Sequence, residues 1–313
     1  MPNNQTKRLA HGAMMIALFA ILMAIATYVP IVNIVATLFA PLPFAWYSAK
    51  YDRSSSLLVS FIGCIATFFI GGLLIIPFAL IYAAIGVVMG DALRLKRSKV
   101  FLLMSTGITT LITFAIEYVI SLKLFEMDII KRFMDIMRES YLKSAELSQS
   151  MGGQNPFDEQ TVSRMFDTLE MLIPASITIA VFFTTFIIIL LNLPMLKRFG
   201  VNIPKFRSFE NMRLPRAVLW YYLIVLSINL FIKPEIGSAL YVICLNFSLV
   251  LWMLLVLQGL SLIYYILSAF GSPKFLKVLA AIMAFPLYSF FILLGIMDLG
   301  FDIRSFVKGK IQK

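Results

Sequence analysis

The chain has 313 residues, 60% of them hydrophobic and only 14% charged, with a formal net charge of +11 and a mean hydropathy of +0.91. A soluble domain is nearer half apolar and a quarter charged, so an ordinary water-soluble fold is excluded. The two cysteines, Cys64 and Cys244, stand far apart inside apolar runs; this excludes a disulfide framework or a cysteine zinc site and reads as small apolar packing.

The apolar runs are 10–29, 31–48, 56–71, 74–92, 100–122, 171–194, 217–232, 238–268 and 276–297. As helices they are long enough to cross a hydrocarbon core of ~30 Å. The alternating ten-residue strands of a membrane barrel are absent. The expected fold is all-α, a polytopic transmembrane helical bundle of eight or nine membrane segments.

The first run, "AHGAMMIALFAILMAIATYVP", places Ala13, Ala17, Ala20 and Ala24 on one helical face. "AIA" at 24–26 has the form of a leader cleavage site, but the apolar run continues to Val29 and further spans follow, which favours a retained span. His11, the only histidine, falls at the polar edge of this run and reads as an interface residue. In the fourth run, Ala79, Ala83, Gly86 and Gly90 repeat the spacing of the alanines. Small faces let helix backbones approach closely, where packing replaces a hydrophobic drive that lipid does not supply. The two stripes are expected to pack on each other or each to receive another subunit. Phe19, off the alanine stripe, is expected to tolerate leucine.

The fifth run carries Thr106, Thr110, Thr113, Glu117 and Ser121 on one face. Glu117 is the one carboxylate well within a run, and burying it against lipid costs ~3 kcal/mol even on lenient scales. It is expected to face protein or water. Two readings stay open. The threonines bond their own backbone and Glu117 reaches Lys123, or the face lines a cavity in which Glu117, Thr113, Thr110 and Asn33 bind a small solute bearing a cationic or amine group.

The segments between runs alternate in charge. Lys7 and Arg8 precede the first run, "KYDR" follows the second, and "RLKRSK" follows the fourth. The segment 196–216 carries six bases against Glu210, while the turns after the first and third runs are uncharged. The long segment 123–170 holds nine of the chain's 16 acidic residues against six bases. By the positive-inside rule the N-terminus is cytoplasmic and 123–170 is extracytoplasmic. Topology then accounts for the basic excess, and no nucleic-acid partner is expected. Within 123–170, Ile130, Phe133, Met134, Met137 and Tyr141 make an apolar stripe at helical spacing. After "MGGQNP", Asn155 as cap and Pro156 at the first helical position open a second helix striped by Val162, Met165, Phe166 and Leu169. The pair is expected to lie on the outer membrane surface or to cap the bundle.

The expected organisation is a six-span core at 1–195 with 123–170 inserted, a cytoplasmic basic linker at 196–216, and C-terminal membrane helices and tail at 217–313. The tail is basic, through Arg304, Lys308, Lys310 and Lys313, and Pro286 interrupts the last run. Nine crossings, or eight crossings plus a re-entrant hairpin, both remain open.

With one histidine there is no "HExxH"; no "GxSxG" or Walker-type loop is present, and "VMGD" lacks the first glycine of the intramembrane aspartyl protease pattern. No catalytic set, metal or cofactor is expected, and an enzyme is the least favoured class.

The stretch 1–195 resembles the substrate-capture subunits (S-components) of energy-coupling-factor vitamin transporters. The shared features are Ala13 and Ala17 in a small-xxx-small first span, the Val29–Pro30 turn, the "KYDR" return, and Gly86 and Gly90 in the fourth span. That resemblance implies solute capture under extracellular loops and docking of the alanine face on a membrane-embedded coupling subunit. The whole chain, through "LLGIMDLGFDIR" in particular, is similar to the YybS-like family of bacterial predicted membrane proteins of unknown function. The long acidic segment and the extra C-terminal spans depart from an S-component. The expected function is therefore a bacterial cell-membrane protein that binds or takes up a small solute and docks on a coupling subunit or a second copy of itself. The alternative is a membrane scaffold or envelope-assembly protein with no transported substrate.

Overall fold

A computed structural model describes residues 4–151, 159–203, 208–301, 303–305 and 307. The regular elements among the described residues are all helical, and the chain divides into two compact units, 1–144 with 178–206 and 145–177 with 207–313. Five helical stretches are long and apolar enough to cross a bilayer, or six if one bent pair counts as a span. The expected eight or nine segments do not reappear in that count. The helices covering several apolar runs are shorter than the runs, for reasons that lie in prolines and glycines.

In the first unit, α1 (Asn4–Tyr28) and α4 (Arg53–Gly71) run in the same direction. Arg8 pairs with Asp52 at 3.4 Å near their starts, and the Tyr28 hydroxyl donates to the Ile70 carbonyl near their ends. The return between them is broken into α2 (Asn33–Phe39) and α3 (Leu42–Lys50). Pro41 has no N–H to continue the ladder and precedes Leu42 as the cap of α3. The orphaned carbonyl of Leu38 instead accepts from Asn192 Nδ2 at 2.8 Å.

Asp52 caps α4 by accepting from the Ser55 N–H at 3.0 Å. The glycine pair 71–72 then turns the chain, with Gly72 at φ +66°. After a 3₁₀ turn, α5 (Ile76–Arg94) packs back along α4, so the 42-residue apolar stretch 53–94 is a hairpin. The core of this unit is α3, whose residues from Leu42 to Ser48 are all buried. A β-carbon on Gly86 would lie 2.5 Å from the Pro41 carbonyl oxygen, and one on Gly90 would lie 2.3 Å from that of Ala45. The glycines of the α5 stripe therefore seat the backbone of α3, and of the two expectations for this stripe, packing on the alanines of α1 or receiving another subunit, the first is corrected. Ser48 adds a bond from its hydroxyl to the Val87 carbonyl at 2.9 Å.

On α4 the usual polarity of a helix is reversed. Ser56, Ser60, Cys64 and Thr67 are buried, while Leu58, Phe61, Ile65 and Phe69 point outward. Such an outward apolar stripe suits lipid and not water. The helix α6 (Lys99–Leu124), capped by Ser98, packs on α5. Its Gly107 lies against the ring of Phe182 in α9 (Ile173–Arg198). Between them come α7 (Ile129–Ser150) and α8 (Glu159–Met171). Asn155 and Pro156, expected to open α8, lie outside the described residues.

In the second unit, α10 (Ala217–Ser227) widens into one π turn, Ile228–Ile232, and ends at Lys233 with φ +47°. The longest helix, α11 (Ala239–Ala269), is capped by Ser238. Near its start, Asn246 holds the junction of α8 and α9, accepting from the Ala175 N–H at 2.8 Å and donating to the Met171 carbonyl at 2.7 Å. The last run is broken around Pro286 into α12 (Lys274–Met283) and α13 (Tyr288–Phe301), bent by 111°. The helices α11 and α13 cross in backbone contact. A β-carbon on Gly259 would lie 2.1 Å from the Phe291 carbonyl oxygen, and one on Gly295 would lie 2.2 Å from that of Leu255.

Candidate functional site

The expected solute site does not close into one constellation. On α6, the Thr110 hydroxyl donates to the Thr106 carbonyl at 2.8 Å and Thr113 to the Thr109 carbonyl at 2.9 Å. These are the backbone bonds that threonine makes in membrane helices. Asn33 is exposed at the start of α2, and its side-chain oxygen accepts from the adjacent Ile34 N–H at 2.7 Å. No hydrogen bond among the described residues joins it to Glu117 or Thr113. Glu117 is half-buried, its Oε1 is shielded without a hydrogen-bond partner, and no ion pair links it to the exposed Lys123. The Glu117–Lys123 pairing considered from sequence is therefore corrected. Three further shielded oxygens without partners belong to the same unit: Thr106 Oγ1, Thr185 Oγ1 and Asn192 Oδ1.

The small residues divide into two kinds. Ala79, Ala83, Gly86 and Gly90 are all buried, the two glycines against the backbone of α3. On α1, by contrast, the buried face is Gly12, Met15, Phe19 and Met23. Ala13 and Ala17 are exposed, and Ala20 and Ala24 half-exposed. Phe19 has no exposure and its ring lies 4.5 Å from that of Phe44. The expectation that Phe19 lies off the packed face is corrected, because the larger residues, not the alanines, fill the core. His11 is held by the Tyr51 hydroxyl at 2.6 Å and stands edge-on to Trp46.

Sequence reasoning missed the densest polar cluster, which lies in the second unit. Arg304 Nε donates to Asp298 Oδ2 at 3.0 Å, and both side chains are almost fully buried. Gln258 Nε2 donates to the same oxygen at 2.5 Å. The remaining guanidinium nitrogens reach the Ser261 hydroxyl at 3.0 Å and the Glu210 carbonyl at 2.7 Å. Ser261 Oγ lies 2.8 Å from the Phe209 carbonyl and 2.9 Å from that of Met212, while Gln258 Oε1 accepts from the Leu214 N–H at 2.9 Å. Glu210 in turn receives Lys277 at 3.0 Å and the Ser268 hydroxyl. These hydrogen bonds, that of Ser268 first, hold the Glu210 carboxyl below the usual carboxylate range.

The cluster clamps the backbone of 209–214. Five side chains, Gln258, Ser261 and Ser268 of α11, Lys277 of α12 and Arg304 after α13, satisfy its carbonyls, its Leu214 N–H and its carboxylate. A buried ion pair of this kind is held by its surroundings, and removing one partner leaves an uncompensated charge. The sequence signals were Gln258 within a 31-residue apolar helix and Asp298 immediately after the last apolar run. Their partners follow no helical period, so spacing alone does not bring them together. Glu210 also touches both ends of the bent pair, through Lys277 at the start of α12 and Arg304 after α13. Among the described residues no group of three histidine, cysteine, aspartate or glutamate side chains is placed to hold a metal.

Outward apolar faces, buried hydroxyls, and asparagines that satisfy carbonyls at helix breaks define a multi-pass helical membrane protein. The family of predicted membrane proteins designated DUF2232 matches residues 17–299, and the chain belongs to that family. It is also 28% identical over 309 residues to the uncharacterized protein YybS of Bacillus subtilis (strain 168), covering 97% of this chain and 99% of that protein. No solved structure matches the chain.

Proposed function

We propose that the protein is a solute-binding subunit of the bacterial cell membrane, similar in its first six spans to an S-component. In this reading the N-terminus and the segment 196–216 are cytoplasmic, and a small solute with a cationic or amine group reaches Glu117 from outside. The observation that carries the reading is the shielded, unpartnered Oε1 of Glu117. A carboxylate held in a membrane helix away from Lys123 is expensive unless something answers its charge. The outward alanines of α1, Ala13 and Ala17, support docking on a membrane-embedded coupling subunit or on a second copy, because they leave backbone approachable.

The spans of this reading include the broken pair α2–α3 and both arms of the 53–94 hairpin. The final bent pair is then a re-entrant hairpin, giving eight crossings and a cytoplasmic tail. Support comes from Glu210, where both ends of that pair meet.

The test is Glu117→Gln, which keeps size and polarity and removes the charge. It is expected to abolish the ligand that co-purifies with the wild type while leaving the melting temperature close to wild type. A lowered melting temperature with ligand retained overturns the solute site. A second reading, a membrane scaffold without a transported substrate, is favoured by the C-terminal cluster, whose polar groups hold 209–214 rather than a ligand. Absence of any co-purified small molecule from the wild-type protein supports it.

A further inference from the structure

The helix α7 follows a membrane helix at once and is tied to its end. The Tyr118 hydroxyl of α6 bonds Asp128 Oδ1 at 3.2 Å, and Ser121 Oγ donates to the Met127 carbonyl at 2.8 Å. Asp128 also caps α7, accepting from the Lys131 N–H at 2.9 Å. The first turn of α7 is therefore fixed at the depth where α6 leaves the apolar layer.

The helix itself is too polar to cross, with Asp135, Glu139 and Glu146 among its 22 residues. Yet it is strongly amphipathic. Ile129, Phe133 and Ile136 step by four and three along one side. Phe133 is 60% exposed and Ile136 54% exposed, while Lys131 and Asp135 lie across the wheel. Only Met134 of this segment turns fully inward. An apolar arc this exposed is unfavourable in water, and an interfacial helix buries such an arc at the boundary of headgroups and acyl chains. Arg132 flanks the arc beside Ile129 and Ile136, where a cationic side chain meets lipid phosphates.

We propose that α7 is an interfacial anchor, lying on the bilayer beside the exit of α6 with Ile129, Phe133 and Ile136 in the lipid. The surface partner is phospholipid, and the inference does not depend on the solute reading. It specifies what the exposed arc touches, and it fixes α7 against the membrane plane instead of projecting from it.

Spin labels at Phe133→Cys, Ile136→Cys, Asp135→Cys and Lys131→Cys, each in a Cys64→Ala/Cys244→Ala background, test this in nanodiscs of phosphatidylcholine and phosphatidylglycerol. Labels at 133 and 136 are expected to collide more with oxygen than with a water-soluble nickel chelate, and labels at 131 and 135 the reverse. Equal chelate access at all four positions overturns the proposal, because α7 then stands in water. Protection of 133 and 136 from both reagents overturns it as well, because protein then covers the arc. Where a labelled variant does not purify, Phe133→Trp in nanodiscs of brominated lipid gives the same reading. Quenching in excess of the unsubstituted protein supports lipid contact, and no excess overturns it.

Discussion

Asn192 Nδ2 donates to the carbonyl oxygen of Leu38 at 2.8 Å, joining residues 154 apart in the chain. Asn192 has no solvent exposure, and the same amide reaches Ile188 within its own helix. A side chain that satisfies a carbonyl freed by a proline break lets an interrupted helix remain in an apolar layer. Asn192→Leu is therefore expected to destabilise the protein by ~1–3 kcal/mol, the cost of leaving a buried acceptor unmade. Thermal unfolding in detergent checks it; an unchanged melting temperature would show that α5 alone holds the α2–α3 break.

The Arg304–Asp298 pair predicts a non-additive result. Arg304→Met leaves the Asp298 carboxylate buried beside Gln258 alone, and Asp298→Leu leaves the guanidinium without its anion. Each single change is expected to cost ~3–5 kcal/mol, and the double change less than either. Melting temperatures of the three variants decide the point. A double variant as unstable as the sum of the two would mean that the guanidinium acts through Ser261 and the Glu210 carbonyl instead.

Helix contact through glycine gives a graded set. Gly259→Ala and Gly295→Ala place a methyl within about 2.2 Å of a backbone carbonyl oxygen, which has no room to yield. Gly300→Ala meets nothing nearer than Leu219 Cδ2 at 3.8 Å. The first two are expected to cost ~1–3 kcal/mol by overpacking, the third a few tenths at most. On α1, Phe19→Leu is expected to lower the melting temperature, because the ring fills the core beside Phe44. Ala13→Leu, on the outward face, is expected to leave it unchanged. Equal losses at Phe19 and Ala13 would contradict this assignment of faces.

Convergence on Glu210 predicts where the tail lies. Single cysteines at Glu235 and Ser148, in a Cys64/Cys244-free background, are expected to react with a membrane-impermeant thiol reagent in intact cells. Cysteines at Ser208 and Ser305 are expected to react only after permeabilisation. Labelling of Ser305 together with Glu235 would make the last segment a full crossing.

Composition and apolar run length by themselves determined that this is a helical membrane protein, because no other fold class uses such runs. Glycine and proline positions also announced the turn at Gly72 and the break at Pro286, since both depend on local backbone chemistry. Which face of α1 packs was not legible. In lipid, small and large apolar residues are equally soluble, so an alanine stripe and a Phe19–Met23 stripe read alike until a neighbour fills one of them. The pairing of the α5 glycines with α3, not α1, was decided by the break at Pro41, which brings α3 to them. Glu210, Gln258 and the Asp298–Arg304 pair come from three separate stretches, and no period relates them. Only the crossing of α11 and α13 at Gly259 and Gly295, close enough for backbone contact, places a carboxylate, an amide and a guanidinium within hydrogen-bonding reach.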